Sequence, residues 1–270
     1  MDAPPPEWSE LGPTSIQEVN ALPPEVAEAV YVRLIPREIF ERFHIDPVTL
    51  CGAEGDRLVQ ITAPADQPWA RVEVRPFASS RDPVLLMAVE TSPLSVPELA
   101  YVQISDPARP RYAIDHDTDG RDTLLGTISR NVDEEVRAMT DGLAPGQVRA
   151  GLRLLPRVLE TMEAFCRLMG GELFLIEPLF YHAAILYERC GCGYLFGREN
   201  MEELHAGFAD GGELRAVLDG SSPFRRPGAA LTARGRSWAL HDGVADWGGV
   251  KMFKASGRRA GVDTFPGGHY

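Results

Sequence analysis

The stretch ELFLIEPLFYHAAILYERCGCGYLFG, residues 172–197, carries the clearest structural pattern in this chain. It opens with a short apolar run that ends at a proline, which is typical of a strand buried on both faces. The residues that follow favour a short helix, and Gly191 and Gly193 precede a second strand-like segment. The sequence therefore predicts a strand, a helix and a strand in succession, the pattern of a fold that mixes α and β structure.

The apolar positions of the short helix predict which face it buries. Leu179, Ala183, Leu186 and Cys190 follow one another at intervals of four, three and four residues, and positions with this spacing share one face of a helix. We expect that face to be buried. Tyr187 lies one position beyond it, so we expect its hydroxyl group at the edge of the buried face, within reach of a cleft.

Upstream of this stretch the pattern of apolar residues changes. Residues 57–117 contain five short segments that are rich in Val, Ile and Tyr and separated by Pro, Asp and Gly, which predicts an antiparallel meander. Residues 121–141 and 147–169 repeat apolar residues every three or four positions, which predicts two amphipathic helices. Pro156 lies inside the second, where a proline either kinks a helix or occupies its first turn.

The two ends of the chain differ from its middle. Residues 1–13 are rich in Pro and polar residues, so we expect them to be extended or disordered. Residues 14–220 are interpreted as one α/β domain that opens with helices over 24–34 and 36–44, each with a proline at its start. Residues 221–270 are interpreted as a basic, β-rich C-terminal extension packed on that domain.

The composition argues against several classes of protein. The 270 residues carry a net charge of −12, which opposes binding to nucleic acid. No apolar run comes near the roughly 20 residues of a membrane-spanning helix, and the N-terminus lacks the pattern of a secretory signal. Four cysteines are too few and too scattered for a disulfide scaffold. We therefore expect a cytoplasmic protein with no membrane or nucleic-acid partner.

Positive charge is concentrated toward the C-terminal end. Residues 221–270 hold eight Lys and Arg against three acidic residues. A solvated basic segment on an acidic body would explain this, and so would a cationic rim for a phosphate or carboxylate ligand. Residues 232–242 are interpreted as a strand on which Arg234, Arg236 and Trp238 share one face. These three could bind an anionic substrate, or could form a surface ladder.

Two short motifs bear on metal binding. The sequence DHDTDG at 115–120 matches the first half of a calcium loop, but Gly126 stands where the loop needs its twelfth-position Glu. Cys190 and Cys192 lack the two-residue spacing of a zinc pair. We therefore predict no metal site and interpret the acidic segment as a solvated turn.

The succession of antiparallel strands, long helix, buried strand, short helix and strand resembles the Gcn5-related N-acetyltransferase (GNAT) superfamily, most clearly over residues 146–197. The short helix of that family commonly reads Ala, then Leu-Tyr-Glu-Lys, then an apolar residue, Gly and Phe. This chain has Ala183, then Leu186-Tyr187-Glu188-Arg189, then Cys190-Gly191-Cys192. The resemblance implies an α+β fold with a GNAT-like mixed sheet flanked by helices.

The resemblance also implies a reaction and the residues that perform it. In the family, the matching tyrosine often protonates the coenzyme A thiolate as it leaves, so Tyr187 is the implied general acid. The buried strand ends near the acyl site in the family, so Glu177 could deprotonate the acceptor amine, or could only face a helix dipole. His182 is a candidate substrate-binding residue, or an ordinary buried histidine.

Acetyl-CoA or another acyl-CoA is the cofactor that the same resemblance implies. The family binds pyrophosphate on a loop of the form Gln/Arg-x-x-Gly-x-Gly/Ala that leads into the long helix. The matching stretch is APGQVRAGLRLL, 144–155, in which the candidate cofactor-binding residues are Gln147, Arg149, Gly151 and Arg153. Arg153 stands where the family has a small residue.

These observations predict acyl transfer from an acyl-CoA to a small-molecule amine by direct attack, in a protein that could form a homodimer. The alternative is a non-catalytic ligand-binding or regulatory protein on the same fold, which reads its ligand with Arg234, Arg236 and Trp238. The order of elements over 147–197 further predicts that the strand at 172–177 runs parallel to an earlier strand and separates from it at one end.

Overall fold

The computed structural model describes residues 12–270, so all but the last two residues of the predicted extended segment, 1–13, lie outside the described residues. Seven strands form one mixed sheet: β1 (Val59–Thr62), β2 (Trp69–Val74), β3 (Leu85–Thr91), β4 (Pro97–Ile104), β5 (Leu173–Ile176), β6 (Gly193–Phe196) and β7 (Lys251–Ala255). Their order in the sheet is β1-β2-β3-β4-β5-β7-β6. The α+β class predicted from the sequence is confirmed.

Helices make up most of the remaining regular structure. Residues 12–270 contain nine α-helices: α1 (Ile16–Asn20), α2 (Pro24–Tyr31), α3 (Arg37–Arg42), α4 (Val132–Thr140), α5 (Leu155–Leu168), α6 (Tyr181–Arg189), α7 (Arg198–Phe208), α8 (Glu213–Ala216) and α9 (Ala233–His241). The predicted N-terminal helices are confirmed by α2 and α3. In this described part of the chain, no helix has both the length and the apolar character needed to cross a bilayer.

The described chain divides into two compact units. The first comprises the residues up to Pro107, Gly151–Glu177 and Phe253–Arg259. The second comprises Ala108–Ala150, Pro178–Met252 and Ala260–Tyr270. The chain therefore passes between the units several times, and both units contain residues from either side of position 220, where the sequence suggested a boundary.

An antiparallel meander of four strands lies in the first unit. β1 pairs with β2, β2 with β3 and β3 with β4, with Val72 opposite Met87 near the centre. The alternating sequence of β2 explains why one of its faces lies in the core, since Ala70, Val72 and Val74 are fully buried on that face. The first four segments of the predicted meander are therefore confirmed as strands.

β5 joins this meander in a different way. It pairs with β4 in parallel, with Glu98 opposite Leu175 and Leu99 opposite Ile176, and it lies inside the sheet between β4 and β7. Parallel neighbours need a long crossover connection, which here includes α5. The prediction that the strand at 172–177 runs parallel to an earlier strand is confirmed.

The long helix begins later than its apolar spacing predicts. The sequence favours a helix over 147–169, whereas α5 begins at Leu155. Arg153 has a left-handed backbone (φ 61°) that a right-handed helix cannot include, and Pro156 occupies the first turn, one of its two predicted roles. Val148 and Leu152 are buried without being helical, so burial outside a helix produced the misleading spacing.

The helix predicted over 121–141 is wrong in its first half. α4 begins only at Val132, and residues 124–126 have left-handed backbones. The carboxylate of Asp122 accepts the backbone N–H of Leu124 (2.7 Å), and such local side-chain bonds compete with helix formation. The side chain of Asn131 then caps the true start of α4.

Two segments predicted as strands have other structures. The fifth segment of the meander, 110–117, forms no strand; its Tyr112 and Ile114 are buried in an apolar cluster of the second unit instead. The segment 232–242 forms α9, because the Thr232 hydroxyl accepts a backbone N–H and caps a helix there. Arg234, Arg236 and Trp238 therefore do not share the face of a strand, as the sequence predicted, but lie on a helix. The other predicted C-terminal strand is confirmed as β7.

Candidate functional site

The residues beyond the β4–β5 pairing form the candidate site in the first unit. After Leu99, β4 continues through Ala100–Ile104, which are half-buried. Tyr101 donates its hydroxyl to Gln103 Oε1 (3.0 Å), and Gln103 donates its amide to Ser105 Oγ (3.3 Å). Burial raises the pKa of Tyr101, so its hydroxyl stays protonated at neutral pH. One face of this half of the strand therefore carries a row of uncharged polar groups.

The loop before α5 lies against the end of this strand. A Cβ atom added at Gly151 would lie 3.0 Å from the carbonyl oxygen of Ile104, so the glycine permits a close approach of the two backbones. Arg153 follows with an exposed side chain, and α5 begins two residues later. We call Ala100–Ile104 together with residues 151–157 the β4 site.

The start of α5 presents backbone N–H groups at this site. Its N-cap residue, Leu154, forms no side-chain cap, and the first-turn N–H groups of a helix have no partner within the helix itself. The helix dipole places partial positive charge at the same end. The guanidinium of Arg157 is engaged by Glu38 (3.1 Å) and Glu160 (2.6 Å). An anion at this end would thus meet N–H groups and Arg153.

The four candidate cofactor-binding residues divide between the units. Gly151 and Arg153 belong to the first unit and to the β4 site, whereas Gln147 and Arg149 belong to the second. Gln147 Oε1 accepts the backbone N–H of Ala144 (2.8 Å), and the Arg149 guanidinium donates to a backbone carbonyl. These last two side chains therefore brace the backbone of the second unit.

The two candidate catalytic residues have different environments. Glu177 follows β5 in the first unit, and its side chain is exposed. Tyr187 lies on α6 in the second unit, with 7% of its surface exposed. Its backbone carbonyl accepts the N–H of Cys192 (2.9 Å), which helps to close the end of α6. Tyr187 is thus more deeply buried than the predicted edge position implied.

The buried face of α6 also differs from the predicted one. The sequence favoured burial of Leu179, Ala183, Leu186 and Cys190, but Leu179 is exposed and the other three are half-buried. The buried positions of the helix are Tyr181, His182, Ala184, Ile185, Tyr187 and Glu188. A polar contact explains the difference, because the Glu188 carboxylate accepts the hydroxyl and the N–H of Thr264 (2.6 and 3.0 Å). A charged residue can therefore face inward.

His182 and Ser237 form a buried pair in the second unit. His182 Nδ1 lies 2.9 Å from Ser237 Oγ, which links α6 to α9. Burial lowers the pKa of His182 to about 3, and the charge of Arg234 adds to the effect. An imidazole with so low a pKa is uncharged at neutral pH and is a weak base. Of the two interpretations of His182, the ordinary buried histidine describes this geometry.

The side chains of α9 contribute mainly to packing. Trp238 is buried and donates its Nε1–H to a backbone carbonyl (2.8 Å). The buried guanidinium of Arg236 also donates to a backbone carbonyl (2.7 Å) and lies 4.1 Å from the centre of the Phe265 ring. Arg234 is half-buried, with its guanidinium 4.4 Å from the centre of the Tyr270 ring. Arg236 and Trp238 therefore lie in the interior rather than on a ligand-facing surface.

Glu135 and His241 form a second buried pair that sequence reasoning did not find. His241 Nε2 lies 3.1 Å from Glu135 Oε1, and the same carboxylate accepts from Arg130 (2.6 Å). Burial acts to raise the pKa of Glu135, but the hydrogen bonds from His241 and Arg130 lower it overall. A Cβ atom added at Gly126 would lie 2.5 Å from His241 Cε1. The left-handed turn at Gly126 thus covers this pair, which we interpret as structural.

The acidic segment 115–120 forms a turn that its own side chains close. Asp117 Oδ1 accepts the backbone N–H groups of Asp119 and Arg121, both at 2.9 Å, as a turn-capping carboxylate does. Across residues 12–270, no group of three or more His, Cys, Asp or Glu side chains is arranged to hold a metal ion.

Comparison with known proteins adds no relative. No family model, no curated protein and no solved structure matches this chain at a significant level.

Proposed function

We propose that the protein is an acyl-CoA-dependent N-acyltransferase that transfers an acyl group directly to a small-molecule amine. One observation carries the proposal. The parallel pairing of β4 with β5 involves Glu98 and Leu99, while β4 continues beside the loop that leads into α5. A strand that leaves its parallel neighbour has backbone N–H and C=O groups that need other partners on that side.

The chemistry of an acyl-CoA fits both parts of the β4 site. Its pantetheine arm contains amides, which can pair with a strand edge in the manner of an added strand. Its diphosphate is an anion that suits the N–H groups at the start of α5 and the exposed guanidinium of Arg153. Ala100–Ile104 would hold the arm and residues 153–157 the diphosphate.

Two side chains carry the proton transfers in this proposal. Acetyl-CoA would supply an acyl group that is activated as a thioester. Tyr187 would give a proton to the departing sulfur, which is the role that the GNAT resemblance implies, because a phenol hydroxyl can donate a proton. Glu177 accepts the proton that the attacking amine loses. His182 is less suited to this task because its low pKa makes it a weak base.

Charge reversal at Arg153 tests the diphosphate end of the β4 site. Arg153→Glu should weaken acetyl-CoA binding at least about tenfold, because a carboxylate replaces a guanidinium that contacts phosphate. The side chain is exposed, so the free energy of unfolding should change by less than about 0.5 kcal/mol. Calorimetric titration gives the affinity, and urea denaturation gives the stability.

Arg258→Glu provides a matched control for this experiment. It makes the same change of net charge at another exposed arginine of the first unit. Its dissociation constant for acetyl-CoA should stay within about twofold of the wild-type value, because exposed charges at a distance are screened by salt. If Arg153→Glu bound acetyl-CoA as tightly as Arg258→Glu, Arg153 would have no part in binding the diphosphate.

A further inference from the structure

An open cleft of about 640 Å³ lies within the second unit. Its walls come from α7, the turn at 211–212 with the start of α8, and the loop 245–248. The volume falls within the range of small-molecule sites in proteins. Neither the GNAT resemblance nor the β4 site involves these residues, so the cleft has no assigned role.

Glycines shape one wall of this cleft. A Cβ atom on Gly212 would clash with the carbonyl oxygen of Gly207, and a Cβ atom on Gly207 would lie 2.8 Å from the Leu214 side chain. The end of α7 can therefore approach the start of α8 only because both positions lack side chains. The wall that results exposes backbone, and the C-terminal end of α7 contributes partial negative charge to it.

Three carboxylates make the cleft acidic. Glu203, Glu213 and Asp246 line it with exposed side chains, and none of them forms an ion pair with another residue of the described chain. The nearby Arg215 is engaged instead by Asp210 (3.1 Å). Carboxylates that share one cleft repel one another, so a bound cation would relieve an unfavourable arrangement.

Trp247 indicates which kind of cation fits. It lines the cleft half-buried, and its ring meets the Tyr181 ring edge-to-face, with centroids 6.0 Å apart, which fixes its orientation. The carboxylates do not converge as metal ligands do, since residues 12–270 hold no metal-binding group of three or more such side chains. A tryptophan beside separated carboxylates suits an organic cation with a diffuse charge, which binds to the face of an aromatic ring.

We infer that this cleft binds an alkylammonium compound, with Trp247 against the cationic group and Glu213, Asp246 and Glu203 around it. The inference does not depend on the proposed acyl transfer. Calorimetric titration of the 270-residue chain with choline tests it, with the uncharged isostere 3,3-dimethylbutan-1-ol as the second ligand. Choline should bind with a dissociation constant of about 1 mM or tighter, and at least about tenfold more tightly than the neutral isostere.

Variants locate the binding in the cleft. The double variant Glu213→Gln, Asp246→Asn should weaken choline binding at least about fivefold, and Trp247→Leu should do the same. The control Glu199→Gln, Asp133→Asn removes the same charge from exposed positions outside the cleft and should bind choline as the wild type does. Equal affinity for choline and its neutral isostere, or wild-type affinity in the Glu213→Gln, Asp246→Asn variant, would overturn the inference.

Discussion

Acidification from pH 7 to pH 5 is expected to lower the free energy of unfolding by about 2 kcal/mol through His182 alone. Burial, with a contribution from Arg234, lowers the pKa of this imidazole to about 3 in the folded protein, whereas an exposed histidine titrates near 6.5. At pH 5 the unfolded state therefore binds a proton that the folded state excludes. The contribution of His182 is complete above about pH 6.5 and is lost progressively as the pH falls toward 3.

The variant His182→Gln removes the titrating group. The slope of the free energy of unfolding against pH should therefore be much smaller between pH 7 and pH 5. A residual slope is expected from His205, whose pKa burial also lowers. His269→Gln changes an exposed histidine and should keep the wild-type slope. Urea denaturation at each pH gives the free energy of unfolding. A wild-type slope in His182→Gln would contradict a buried, uncharged imidazole.

The pH range separates this effect from that of buried carboxylates. Burial acts to raise the pKa values of Glu135 and Asp242, but hydrogen bonds lower both overall. A carboxyl group with a lowered pKa in the folded state stabilises the protein above its unfolded pKa and loses that contribution below it. The unfolded values lie near 4, so measurements between pH 5 and pH 7 report mainly on histidine.

Loss of the Tyr187 hydroxyl should lower the rate of acyl transfer about 100-fold or more. Tyr187→Phe keeps the buried aromatic ring on α6 and removes only the hydroxyl. If the hydroxyl has a purely structural role, its loss should lower the free energy of unfolding by about 1 kcal/mol and leave the rate nearly unchanged. The assay follows release of the coenzyme A thiol from acetyl-CoA with a panel of primary amines. The rate should fall through kcat rather than through KM, because the proton is needed as the thiolate leaves.

Tyr194→Phe is the control for this measurement. The Tyr194 hydroxyl donates to Glu188 within the same unit, so its removal should lower stability, with a change in rate of less than about threefold. A Tyr187→Phe protein that turned over acetyl-CoA at the wild-type rate would exclude Tyr187 as the general acid.

The local pattern of apolar residues predicted the strands β5 and β2 correctly. The apolar run at 172–178 became β5, and the alternation of WARVEV became β2. The starts of α4 and α5 could not be predicted in this way. Residues with left-handed backbones, such as Arg153, cannot belong to the helix, yet apolar residues before them, such as Val148, are still buried. Apolar spacing reports burial, and burial also occurs in irregular segments.

Contacts between distant residues were beyond the reach of the sequence. His182 and Ser237 are 55 positions apart and Glu135 and His241 are 106 apart, and no local pattern marks either pair. The Glu188 contact with Thr264 likewise decides which face of α6 is buried. Hydrophobicity alone favours a different face, since it treats a carboxylate as exposed.

Calorimetric titration of the 270-residue chain with acetyl-CoA is the most direct test of the proposed acyl transfer. The β4 site offers strand-edge groups for the pantetheine arm and a helix start with Arg153 for the diphosphate. We expect saturable binding of one acetyl-CoA with a dissociation constant below about 1 mM. Binding weaker than about 1 mM would contradict an acyl-CoA site and would remove the role proposed for Tyr187.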